Sequence, residues 1–256
     1  MEKVKVAVEN GIGWIILNQP ERYNAIDHDM IDLLDRSLIK LKNDKDVKVL
    51  VIRGAGEKSF CSGGDLSVFH QLHTQKQAYE MLSKMGNVLY KVFSFPKPTI
   101  ALLNGVAVGG GCEVASACDF RISYPNVKFG FIQGTLGITT GWGGSTFIFE
   151  RMNPENALEI LISAKKFTAI EGYEKGFIQK VLAKEDPLKD FYEWIHPFTT
   201  KTASVQKAYK QRRLDRYDLA DIEHRIEKEI SECSRLWETD EHHQAVSIFL
   251  NRNGSK

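Results

Sequence analysis

Residues 104–121 read NGVAVGGGCEVASACDFR. Four glycines (Gly105, Gly109, Gly110, Gly111) end an apolar strand pattern, and one acid, Glu113, then enters a run of small residues. Glycine lets a backbone approach a ligand closely and adopt conformations that a side chain forbids. A helix that opens straight after the glycines points free N–H groups at whatever lies above it. Those donors suit a developing oxyanion, and a carboxylate one turn in suits proton transfer. The glycines do not fall as GxGxxG with an acid about 20 residues on, so this is not a dinucleotide fingerprint.

Working outward, the same grammar recurs. VKVLVIRGAG is a short apolar strand ending in a glycine turn, and FCSGGDL is a second strand end with glycines. In it Asp65 reads as an N-cap rather than a proton carrier. Residues 3–9 and 12–18 flank Asn10-Gly11, the signature of a β-hairpin. Asp27 caps a predicted helix over 28–43, whose Ile31, Leu34, Leu38 and Leu41 repeat at helical spacing. A second helix over 75–93 is stopped by Phe95-Pro96-Lys97-Pro98. Beyond the opening stretch, FRISYP and VKFGF are short strands, and GTLGITTGWGGS is a glycine-rich loop that lines or covers something. Helices follow near 144–151 and 154–162, the second entered at Asn153-Pro154. Strand, glycine turn and helix recurring near residues 50, 61 and 103 define an α/β chain. From about residue 187 strand signals vanish and charged amphipathic helices take over. The expected organisation is an α/β core over 1–195 that carries the site and a helical region over 196–256.

Composition narrows the function classes. Hydrophobic residues make up 43% of the 256, enough for a sizeable core. Lys+Arg is 34 against Asp+Glu 33, which offers no global basic face for nucleic acid. Cys61, Cys112, Cys118 and Cys233 show no CxxC spacing and read as thiols packed in a reducing compartment. MEKVKVAVEN is a charged strand pattern rather than a signal sequence, and no apolar run reaches the roughly 18 residues of a membrane span. The expectation is a cytoplasmic protein with no membrane partner. No GxSxG elbow argues for a serine hydrolase. His70-x-x-His73 and His242-His243 lack zinc-site contexts and read as surface or structural residues. The basic run at 207–216, KAYKQRRLDR, is ordinarily a solvated face.

GWIILNQPERYNAID, FCSGGDL, PKPTIALLNGVAVGGGCEVASACDFRI, FG…LGITTGWGG and ISAKKFTAIEGYEKGFIQKV occur in this order. Together they resemble the crotonase (enoyl-CoA hydratase/isomerase) superfamily. The resemblance implies a crotonase-like spiral of ββα units with a C-terminal helical trimerisation region, assembled as a homotrimer or a dimer of trimers. It also implies an acyl-CoA thioester substrate and no metal or redox cofactor, coenzyme A being part of the substrate. Carried over by motif, the backbone N–H groups of Gly64 and Gly110 form an oxyanion hole for a thioester enolate. One such donor is typically worth about 3 kcal/mol of barrier. Arg22 and Ala25 in one loop, and Ser62, Gly63, Asp65 and Leu66 at the strand end, resemble segments that receive coenzyme A. Gly141 resembles the family's water-binding turn.

Hydratases of this family carry two glutamates. The first matches Glu113. The second stands in FGxxE, where this chain reads Phe129-Gly130-Phe131-Ile132-Gln133. An amide orients water or a carbonyl but exchanges no proton near neutral pH. The reading taken is hydration/dehydration or double-bond isomerisation with Glu113 as acid/base and Gln133 positioning water. Decarboxylation of a methylmalonyl- or ethylmalonyl-CoA-like ester is the alternative, since ACDFRI and GWGG resemble that branch. It requires Glu113 protonated or turned away, because an ionised one repels the substrate carboxylate. A further alternative is a non-catalytic acyl-CoA-binding relative.

Overall fold

The computed structural model describes residues 2–254, with side chains to Asn251. Strands β1 (Val4–Glu9) and β2 (Ile12–Leu17) form an antiparallel hairpin. Its turn uses Asn10 at φ 52° and Gly11 at φ 81°, the left-handed pair that a tight hairpin demands. Helix α1 (His28–Asn43) starts where Asp27 accepts the Met30 N–H at 3.0 Å, and its buried stripe includes Ile31, Leu34, Leu38 and Leu41. There follow β3 (Val49–Gly54), β4 (Ser59–Cys61), α2 (Leu66–Phe69) and α3 (Gln75–Phe93). Next are β5 (Thr99–Leu103), β6 (Val106–Val108), α4 (Gly110–Ala117), β7 (Phe120–Ser123) and β8 (Lys128–Gly130). Then come α5 (Gly144–Arg151), α6 (Pro154–Ser163), β9 (Phe167–Thr168), α7 (Ala169–Glu174) and β10 (Lys180–Val181). The chain closes with α8 (Pro187–Thr200), α9 (Ala203–Leu214), α10 (Leu219–Trp237) and α11 (Asp240–Gly254).

Two sheets result, one ordered β1-β2-β3-β5-β7-β10 and one ordered β4-β6-β8-β9. The pairs β3/β4, β5/β6 and β7/β8 each put their first strand in the large sheet and their second in the small one. Each pair pairs in parallel with the next, so the chain winds forward as a spiral of repeats. Strand β3 shows the logic at residue level. Leu50 and Ile52 face one buried cluster with α1, α3 and α4, while Val49 and Val51 face a second with Trp14, Phe191 and Ile195. Side chains alternate across a strand, so a strand covered on both faces must be apolar throughout.

Residue 195 lies inside α8, which packs on the outer face of the large sheet through Phe191 and Ile195. The C-terminal helix α10 buries Ile222, Ile226, Ile230, Cys233 and Trp237 along one stripe. Gly86 of α3 lets α10 close in: a Cβ there would fall 2.8 Å from Ile230 Cδ1. The basic run at 207–216 is not wholly solvated. Lys210 is buried on α9 and paired with buried Asp119 at 2.6 Å, because its ammonium neutralises the acid of the ACDFR motif. Among the described residues no helix is long and apolar enough to cross a membrane.

Candidate active site

The glycines of two motifs meet. Gly63 has φ +95° and Gly109 φ +56°, conformations that favour glycine. A Cβ on Gly63 would fall 2.9 Å from Gly110 N, and one on Gly111 would fall 2.0 Å from Cys61 O. The end of β4 and the start of α4 thus touch backbone to backbone. Gly64 is held by a bridge to Ile26, in which Ile26 N–H donates to Gly63 O (2.8 Å) and Asp65 N–H to Ile26 O (2.9 Å). Neither the Gly64 N–H nor the Gly110 N–H has an acceptor among the described residues. The Trp142 indole walls this corner: a Cβ on Gly110 would fall 2.1 Å from it and one on Gly64 3.5 Å from it.

Glu113 lies one turn into α4 and is buried. Its Oε1 accepts the Gln133 amide Nε2–H at 2.9 Å and the Gly141 N–H at 3.5 Å. Its Oε2 accepts the N–H groups of Trp142 (2.7 Å) and Gly144 (2.9 Å). Burial pushes the Glu113 carboxyl up, nearby Glu229 pushes it further, and the hydrogen bonds only partly offset them, leaving it at about 7. Two buried polar atoms beside it, Gln133 Oε1 and Trp142 Nε1, have no partner among the described residues.

The remaining sequence-derived positions lie at the Gly63–Gly64 strand end and at Gly141. Exposed Arg22 donates to Asp65 Oδ2 at 2.8 Å, and Ser62 N–H donates to Tyr23 O at 3.2 Å, so the 22–25 loop and the 62–66 strand end lie side by side. Ala25 is buried there and Leu66 half-buried. Asp65 caps α2 by accepting the Ser67 N–H at 2.9 Å. Burial pushes its carboxyl up, but Ser67 and Arg22 outweigh that and hold it below its ordinary value. Gly141 packs against Cys233 and Leu82.

Glu229 on α10 was not singled out by the motifs. Half-buried, it accepts the Ser145 and Thr146 N–H groups at 3.2 and 2.9 Å. No local signal marks it, since it sits in a charged helix 84 residues from Ser145. A groove of about 370 Å³ between the end of α2 and α11 is lined by His70, Leu72, His73, Trp237 and His242 among others. His242 is buried, with its Nδ1 2.7 Å from Leu136 O. Among the described residues no group of three or more His, Cys, Asp or Glu is placed to hold a metal.

A spiral of strand pairs whose glycine-bearing ends converge beside one buried glutamate is an architecture shared with known proteins. The chain belongs to the enoyl-CoA hydratase/isomerase family, whose model matches residues 7–255. It is 34% identical over 206 residues to human ethylmalonyl-CoA decarboxylase, covering 79% of this chain and 67% of that one. It is 27% identical over 253 residues to the short-chain-enoyl-CoA hydratase of Clostridium acetobutylicum, covering 98% and 96%. The crystal structure of an enoyl-CoA hydratase from Bacillus halodurans superposes with a TM-score of 0.88 at 23% identity, over 96% of this chain and all of that one.

Proposed function

We propose that this chain is an enzyme that decarboxylates a malonyl-type acyl-CoA of the methylmalonyl or ethylmalonyl kind. In this reading the Gly64 and Gly110 N–H groups hold the thioester oxygen as enolate charge develops, and Glu113 carries the proton. The observation that carries it is Gln133, an amide that cannot exchange a proton, held 2.9 Å from Glu113 Oε1 where two-acid hydration would need a second carboxyl. Burial and nearby Glu229 raise the Glu113 carboxyl toward neutrality, which weakens its repulsion of a substrate carboxylate. The bond from the α-carbon to the carboxylate breaks, CO2 departs, and the electron pair stays behind as the enolate. Glu113 then gives its proton to the α-carbon, leaving the saturated acyl-CoA, and regains one from solvent. The human relative's name supports this choice. The residues supply every proton transfer, so the reaction calls for no cofactor of the protein's own.

Hydration/dehydration or double-bond isomerisation is the second reading. A carboxyl poised near neutrality serves as base and as acid, and the Clostridium relative is named a hydratase. Gln133 and the Gly141 backbone would then orient water. A mass-spectrometric screen over malonyl-type, 2-enoyl, 3-enoyl, 3-hydroxy and saturated acyl-CoA esters separates the readings. CO2 release faster than crotonyl-CoA hydration, lost in Glu113→Gln, supports the first. No CO2 release from methylmalonyl- or ethylmalonyl-CoA sinks it, and binding without any product would make the chain a non-catalytic binder.

We further propose assembly as a homotrimer or a dimer of trimers through the helical region and its neighbours. The exposed apolar side chains of Ile162, Ile170, Tyr173 and Tyr209 support it. A monomeric mass by light scattering would refute it.

A further inference from the structure

The Trp142 indole packs on both glycines of the corner. Its Cζ3 stands 2.1 Å from where a Cβ on Gly110 would fall, and its Cζ2 stands 3.5 Å from one on Gly64. Only a glycine at 110 leaves room for the ring. Along the rim of an indole Nε1 follows one atom beyond Cζ2, so the N–H lies at the Gly64 end. Trp142 is 4% exposed, and its Nε1–H has no acceptor among the described residues. A buried donor left bare costs free energy, and beside a site it is a place for a ligand oxygen.

We propose that this N–H receives the free carboxylate of a malonyl-type ester, which makes Trp142 the residue that selects carboxylated over uncarboxylated acyl-CoA. The inference deepens the reading given above and rests on it for the substrate class. A ligand oxygen bonded to the Gly64 and Gly110 N–H groups lies beside the indole, because the ring packs on both glycines. The carboxylate of a malonyl-type ester is carried on the carbon next to the thioester carbonyl, so it falls in the same neighbourhood.

The second bare atom of the site, Gln133 Oε1, is an acceptor. It cannot bond a carboxylate, which has no hydrogen to give, whereas Trp142 Nε1–H can. Among the described residues, none of the groups hydrogen-bonded to Glu113 is a cation. A neutral donor suits this chemistry. Loss of CO2 moves the negative charge from the carboxylate to the thioester oxygen. A cation on the carboxylate would therefore stabilise the bound ester more than the transition state. An indole N–H orients the carboxylate with a weaker grip, and the apolar ring beside it accepts uncharged CO2.

The test compares methylmalonyl-CoA with propionyl-CoA, which differ only in the carboxylate, on wild type and on Trp142→Phe. Affinity for propionyl-CoA is measured by calorimetry. Affinity for methylmalonyl-CoA is read as KM for CO2 release, or by calorimetry if no CO2 appears. Trp142→Phe keeps an aromatic ring and removes the N–H. It is expected to weaken methylmalonyl-CoA by about tenfold or more, the worth of a hydrogen bond to a charged group, and to leave propionyl-CoA near its wild-type value. Equal weakening of both esters overturns the proposal, because a ring that only walls the corner would produce it. No change in either ester, or no binding of methylmalonyl-CoA by wild type, also overturns it. If Trp142→Phe does not fold, 15N-indole NMR of the wild type takes its place. The chain has four tryptophans, and Trp14→Phe, Trp194→Phe and Trp237→Phe identify the other three signals. The Trp142 signal should move downfield in excess methylmalonyl-CoA and far less in propionyl-CoA, and equal movement in both overturns the proposal. The two readings fail separately. Tighter binding of methylmalonyl-CoA through Trp142 without CO2 release supports this contact and sinks the decarboxylase. CO2 release with selectivity unchanged in Trp142→Phe sinks the contact and leaves the decarboxylase standing.

Discussion

Gln133 donates its amide N–H to Glu113 Oε1 at 2.9 Å, at the position where two-acid relatives of the motif carry a second glutamate. The contact ties an amide, which exchanges no proton, to the one carboxyl of the site. Its other atom, Gln133 Oε1, is buried and has no partner among the described residues. Buried polar atoms are ordinarily satisfied, so this acceptor is available to a bound substrate or water.

Gln133→Glu puts a second carboxyl against the first. Two carboxyls in hydrogen-bond range share one proton, giving an acid and a base side by side. The expected outcome is a gain of about tenfold or more in crotonyl-CoA hydration, within the range of general acid–base catalysis. Release of CO2 from a malonyl-type ester should fall in the same variant, since one carboxyl stays ionised beside the substrate carboxylate. Enoyl absorbance and CO2 capture read the two rates. A variant no better at hydration than wild type would show that Gln133 is not what limits it.

Glu113 also makes stability depend on pH. Its folded-state value of about 7 lies above the ordinary 4.5, so the folded chain holds this proton more tightly than the unfolded one. The resulting stabilisation is complete below 4.5 and is lost as pH rises through 7. Its size is on the order of 3 kcal/mol. Urea denaturation from pH 4.5 to 8 should show that decline in wild type and a flatter profile in Glu113→Gln. Parallel profiles would contradict the raised carboxyl.

Gly110→Ala tests the corner itself. The added methyl would land 2.1 Å from the Trp142 indole, and the ring must move or the helix start must shift. Overpacking of this kind costs about 1–3 kcal/mol. Displacing one oxyanion donor typically costs about 100-fold or more in turnover. Adding Trp142→Phe, which removes the ring atoms nearest the new methyl while keeping an aromatic side chain in place, should recover part of the stability, while turnover stays low if the Gly110 N–H has moved. Thermal melts and turnover of the best substrate separate the two effects.

Much of this arrangement is written locally and is legible in the sequence. The Asn10-Gly11 turn, the Asp27 and Asp65 caps and the apolar stripes of α1 and α3 each depend on residues a few positions apart. The meeting of SGGDL with GGGCE is long-range, yet both halves carry glycines that ask for a close backbone partner. Glu229 and Lys210 carry no such mark. Each is one charge among many on an amphipathic helix, and its partner lies 84 or 91 residues away. The two-residue strands β9 and β10 are too short for a period of two to register. What decides the state of such residues is tertiary packing, which sequence spacing does not encode.

Asp119, the acid of ACDFR, shows how the helical region is fastened to the spiral. It is buried and accepts from Thr99 N–H at 2.9 Å and from Lys210 Nζ at 2.6 and 2.7 Å. Arg151 and Arg213 stand at 3.4 and 3.8 Å. Burial pushes the Asp119 carboxyl up, but Lys210 and the arginines outweigh it and hold it below its ordinary value. The stabilisation is therefore present above the unfolded-state value and lost as pH falls through the lowered one. Removing Asp119 leaves Lys210 and Arg151 buried without their counter-charge, a loss of about 3–5 kcal/mol. Lys210→Met should cost less, because Arg151 and Thr99 still satisfy the carboxylate. The ranking Asp119→Ala worse than Lys210→Met, read from urea midpoints, follows from the excess of cations over anions in this cluster. The reverse ranking would mean that the ammonium, not the carboxylate, holds α9 to the core.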